Sequence, residues 1–130
     1  MVEITNEVLT KLKTVLTDVV VKSPYSTSKE TKFPLVTFAE TENYTVTEAV
    51  DSSGEFLSHL AFEVNVFTIG KTKELDSSKL RVKIDEILSG YYGMNRNYSA
   101  QVENYIDGTV FRWVLRYDCI VDKNEIIYRG

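Results

Sequence analysis

Phe56-Leu57-Ser58-His59-Leu60-Ala61-Phe62-Glu63-Val64-Asn65-Val66-Phe67-Thr68-Ile69 is the stretch that decides the fold. Leu60, Phe62, Val64 and Val66 alternate with Ala61, Glu63 and Asn65. A period of two predicts a strand with an apolar face and a polar one. Gly70 ends it.

Working outward, residues 73–89 predict a helix. Leu80, Ile84, Ile87, Leu88 and then Tyr91 mark its buried stripe, Thr72 is placed to cap it, and Gly90 suits a left-handed stop. On the other side, Phe33-Pro34-Leu35-Val36-Thr37-Phe38 begins a strand, with Pro34 at a start where no amide is needed. The segment from Glu40 to Gly54 is polar and acidic, and its part from about Thr47 reads as a long loop. At the N-terminus, Ile4, Val8, Leu12, Val15, Leu16 and Val19 recur at three and four, predicting an amphipathic helix over 3–21 that Pro24 closes. A Ser-, Thr- and Lys-rich connector follows over 22–32.

The C-terminal third reads as β. Residues 96–106 alternate weakly, Asp107-Gly108 is a hairpin signal, and 110–121 is the return strand. Its Phe111, Trp113, Leu115, Tyr117 and Cys119 share one face, and Arg112, Arg116 and Asp118 the other. A turn at Asp122-Lys123-Asn124 leads to a short last strand over 125–129. The order α-β-β-α-β-β-β predicts one α+β domain over 1–130. It is a mostly antiparallel sheet of four to five strands with two helices packed against one face.

Bulk properties agree. A chain of 130 residues, 43% hydrophobic and 26% charged, suits a single globular domain. The acidic, polar start lacks the character of a secretory leader, no apolar run is long enough to span a bilayer, and the lone Cys119 has no partner for an internal disulfide. Folding in a reducing cytoplasm is the expectation. The net charge of −4 argues against a general nucleic-acid binder. Its distribution is uneven: no Lys or Arg occurs between Phe33 and Gly70, where Glu40, Glu42, Glu48, Asp51, Glu55 and Glu63 all fall.

Catalytic motifs are scarce. His59 stands alone among histidines, and a solitary imidazole reads as a surface or interface group. Cys119 falls on the apolar face of its strand, so it reads as a small core residue rather than a nucleophile paired with His59. Gly90-Tyr91-Tyr92-Gly93 follows a helix, the wrong order for a phosphate cradle. Glu40 with Glu42 reads as a solvated acidic face. No metal-ligand spacing is present, and neither a cofactor nor enzymatic activity is expected. The Tyr and Arg residues interleaved over 91–98 and 112–117 read as a protein interface.

Several stretches together resemble a known family. They are Phe33-Pro-Leu-Val-Thr-Phe, the acidic segment 40–51, Gly54-Glu55, Phe62-Glu-Val-Asn-Val-Phe-Thr, the helix ending in Gly90, and Arg116-Tyr-Asp-Cys-Ile-Val-Asp with Ile-Ile-Tyr-Arg. The chain is similar over 3–129 to the tail terminator, tail completion or head–tail joining proteins of long-tailed phages and prophages. The resemblance implies a sheet flanked by helices and a hexameric ring in the virion, assembled in the host cytoplasm. Such a ring caps the tail tube, joins it to head connector proteins, and passes the genome DNA without specific binding; no membrane is involved. Glu40, Glu42, Glu48, Asp51 and Glu55 are then expected to face the channel or a partner. Phe67, Val114 and Ile120, pointing off the core faces, with Arg112 and Arg116, are expected at subunit contacts. A head-closure or minor capsid protein is the neighbouring reading, and a small ligand-binding domain the more distant one.

Overall fold

A computed structural model of the chain describes residues 2–23, 32–46, 57–103, 109–121 and 127–128. The 57–68 alternation forms the centre of the molecule. Strand β3 (Leu57–Thr68) lies between β2 (Leu35–Val46) and β5 (Phe111–Val121), antiparallel to both. β4 (Asn95–Val102) and the short β6 (Ile127–Tyr128) pair with successive parts of the far edge of β5. β1 (Val20–Lys22) adds to the N-terminal end of β2 in parallel, so the sheet has six strands and is mixed by that single pairing.

Helices α1 (Val2–Val15) and α2 (Lys73–Asp85) provide the cover of one face. Ile4, Val8, Leu12 and Leu16 recur every fourth residue and are buried. They share a core with Val36 and Phe38 of β2, Leu60, Phe62, Val64 and Val66 of β3, and Leu115, Tyr117 and Val121 of β5. Phe38 and Phe62 stack with ring centroids 5.1 Å apart. The α+β class, the two helices and the inward faces of β3 and β5 are therefore those that the periodicity predicts, whereas the weak alternation over 96–106 leaves β4 largely exposed.

The elements depart from expectation at several places. First, the N-terminal helix stops at Val15 instead of continuing to residue 21. The β-branched run Val19-Val20-Val21 is stiff and packs better on a pleated surface. It opens β1, where the Val20 amide donates to the Pro34 carbonyl at 3.1 Å. Val15, expected on the buried stripe, is exposed.

Second, α2 passes into a π-helical turn, Glu86–Tyr91. A π turn holds one more residue than an α turn, so the buried stripe slips by one position. Tyr92 takes the buried place and Tyr91, expected there, stands 59% exposed over Lys11. Third, the left-handed residue is Gly93, φ 75°, and not Gly90. The Met94 amide then closes back onto the Leu88 carbonyl at 2.9 Å. Thr72 precedes α2 as expected, yet its hydroxyl donates to Asp76 and caps no amide. The loop expected at 47–54, the Asp107-Gly108 turn and the 122–124 turn lie outside the described residues.

Candidate functional site

The face of the sheet away from the helices carries most of the polar chemistry. Its residues on β3 are Leu57, His59, Ala61, Glu63, Asn65 and Phe67, and on β5 Arg112, Val114, Arg116, Asp118 and Ile120. The odd–even alternation of β3 puts them there once Leu60, Phe62, Val64 and Val66 turn to the helices.

Two β-bulges shape this face. In β2 the register steps from Glu40↔Phe62 to Glu42↔Ala61, leaving Thr41 extra. In β4 it steps from Arg96↔Tyr117 to Tyr98↔Arg116, leaving Asn97 extra. Phe62 and Tyr117 are partners across β3 and β5, so both bulges fall at one level of the sheet. Bulges bend a strand and increase its twist. Between them lies an open cleft of about 410 Å³ lined by Thr41, Glu42, His59, Glu63, Asn97, Arg116 and Asp118 among others.

His59 sits at one end of this cleft. Its Nε2 lies 3.4 Å from Asp118 Oδ2 and its Nδ1 3.9 Å from Glu42 Oε2. Asn95 Nδ2 donates to the other Asp118 oxygen at 3.1 Å. The imidazole that looks solitary in the sequence therefore stands between two carboxylates. Asp118 and Glu42 come from two strands that flank β3, which spacing along the chain does not reveal.

Glu63 organises the other end. Arg116 Nε lies 3.6 Å and Arg112 Nη2 4.0 Å from its carboxylate, and Asn65 Nδ2 donates to it at 3.2 Å. Arg112 Nε donates to Asn65 Oδ1 at 2.8 Å. Both guanidinium groups also lie over rings of the same chain, Arg112 above Phe67 and Arg116 above Tyr98. Across the sheet Arg81 of α2 covers Trp113 at 3.5 Å, where burial lowers its pKa. Of the interleaved residues, Arg116 thus stacks on Tyr98 within the chain, and Arg112 on Phe67.

These positions correct several expectations. The stretch without Lys or Arg is base-free along the chain but not in space, because β5 brings Arg112 and Arg116 against Glu63. Glu40 and Glu42 do not form one acidic face. The Thr41 bulge sends Glu40 to the helix side, where Thr5 donates to it at 3.3 Å, and Glu42 to the open side. Val114 is only 2% exposed within the single chain, which leaves no surface for a subunit contact. Phe67 and Ile120 are half-buried on the open face. Glu48, Asp51 and Glu55 lie outside the described residues.

Cys119 and His59 are separated by the sheet itself: Cys119 is opposite Leu60 and turns to the helices. Burial, with smaller contributions from Asp118 and Glu40, pushes its thiol up to about 12. No thiol–imidazole pair exists, and the thiolate is disfavoured. A trio that the sequence does not announce lies on the same side, with Tyr117 buried and Asp85 and Arg96 reaching solvent. Tyr117 Oη donates to Asp85 Oδ1 at 2.9 Å, and Arg96 Nη1 is 3.4 Å from the same oxygen. Burial, and then the bond to Asp85, raises the Tyr117 pKa.

Among the described residues no three His, Cys, Asp or Glu converge to hold a metal ion. None of their helices is long and apolar enough to cross a membrane. The open face offers a polar cleft with an imidazole between carboxylates, suited to polar contacts. No family model matches the chain, and none of the curated proteins matches it.

Proposed function

We propose that this chain is a structural virion protein that assembles as a ring at the head-proximal end of a phage tail. There it terminates the tail tube and joins it to the head. The observation that carries the reading is the architecture, one sheet with two helices on a single face, joined to the strand text that resembles the tail terminator and head–tail joining proteins. The same architecture serves the neighbouring reading of a head-closure or minor capsid protein.

The test is solution mass by light scattering with negative-stain images. Six-chain particles with a central hole support the ring, and a monomer at every concentration overturns it. A specific observation favours one other reading: the cleft at His59 is concave and brings several polar groups together, the feature that orients ligands in small-molecule sites. A monomer in which a small polar ligand shifts the His59 ring resonances, and loses affinity on His59→Ala, would establish that reading instead.

A further inference from the structure

We propose that copies of this chain join edge to edge, β4 of one copy pairing antiparallel with the outer edge of β2 of the next. This rests on the ring reading above and names the contact that would build it.

Three observations carry it. The first is direction. β2 is antiparallel to β3, β3 to β5, and β5 to β4. β4 therefore runs opposite to β2. A second copy set beside the first without inversion brings its β2 antiparallel to the β4 already there. Antiparallel ladders are the commoner and slightly more stable kind. A contact between two different edges is heterologous, the kind that builds a ring when its rotation closes.

The second is length and availability. β1 covers β2 only at Leu35, Val36 and Thr37, so residues 38–46 have no strand on their outer side among the described residues. β4 offers eight residues, Asn95–Val102, and likewise ends the sheet. Neither open edge contains proline. Each edge carries one bulge, at Thr41 and at Asn97, and is otherwise long enough to take another strand.

The third is charge. Residues 38–46 carry Glu40 and Glu42 and no base, while Asn95–Val102 carries Arg96 and no acid. Pairing β2 with β2 would join two acidic strands, whereas β2 with β4 joins strands of opposite net charge.

Engineered disulfides provide the test, since they require Cα atoms roughly 4.4–6.8 Å apart. Thr41→Cys or Asn43→Cys is combined with Asn97→Cys, Ser99→Cys or Gln101→Cys, and each single variant is made alongside. Wild-type protein controls for the buried Cys119. Light scattering is run on the same samples. The expected result is that double variants oxidise to a ladder of cross-linked species ending at a closed ring, while singles stay monomeric on denaturing gels. Rings that form without a ladder in any double variant overturn the edge contact and leave the ring reading standing. Single variants that cross-link to dimers show an isologous contact and overturn the inference. Protein that stays monomeric and uncross-linked overturns the ring reading and this contact together.

Discussion

The two faces of the sheet obey the same alternation and end as different materials. Beneath the helices, Phe38, Phe62, Leu115 and Tyr117 are almost wholly buried, and the Tyr117 hydroxyl donates to Asp85. On the open face, Glu63, Asn65, Arg112 and Arg116 form one ion-paired and hydrogen-bonded group, and His59 lies between Glu42 and Asp118. The first face holds the fold together by packing. The second is held by charge pairs that water and salt can reach. Stability should therefore depend on one face and surface chemistry on the other.

The sharpest way to break that contrast is to truncate one aromatic on each face. Phe62→Ala removes a fully buried ring and its stack on Phe38, and should cost about 3–5 kcal/mol. Phe67→Ala removes a half-buried ring under Arg112 and should cost about 1 kcal/mol. Urea unfolding of both variants checks the ratio, and equal losses would erase the distinction between the faces.

Next in size is the buried hydroxyl. Tyr117→Phe deletes the donor to Asp85 while Arg96 remains beside that carboxylate, and should cost about 1–1.5 kcal/mol. The loss should be nearly independent of salt. On the open face, Glu63→Ala leaves Arg112 and Arg116 without their carboxylate and should cost about 0.5–1 kcal/mol at low salt. Raising the salt concentration should shrink that loss, because exposed pairs are screened. A salt-independent loss at Glu63 would mean that the open face is drier than its exposure suggests.

The smallest effect at neutral pH concerns protons. Burial pushes Cys119 and Tyr92 each up to about 12, against usual values of 9 and 10, and raises Tyr117 as well. The folded chain holds these protons more tightly than the unfolded chain, so unfolding is favoured once the unfolded groups lose them. Stability should be flat from neutral pH to about 9 and fall as pH rises towards 12. Cys119→Ala should move the onset from about pH 9 to about pH 10, where unfolded tyrosines begin to titrate. Urea midpoints measured across pH 7–11 read this directly.

Much of this was legible in the sequence. Alternation over 57–68 and 111–121 determined which residues turn inward, because side chains on a pleated strand change face at every residue. The spacing of Ile4, Val8 and Leu12 determined the helix that covers them, because four residues return a side chain to the same stripe. Together these place the α+β class and most of the core before any contact is known. Local competition was harder to read. Val19-Val20-Val21 ends a helix and begins a strand because the edge of β2 is there to receive it, and Tyr92 displaces Tyr91 because a π turn intervenes.

What only the tertiary structure decided is the composition of the open face. Glu63 meets Arg112 and Arg116, and His59 meets Asp118, across strands about fifty to sixty residues apart in sequence. Strand register makes those pairs, and register depends on how whole strands bury their apolar faces, which no local pattern encodes. The bulges at Thr41 and Asn97 show the same limit. Each shifts by one residue the face that later side chains occupy, and so separates Glu40 from Glu42 and Arg96 from Tyr98. A charge run is a property of the chain, but a charged surface is a property of the sheet, because the strand beside it supplies the opposite sign.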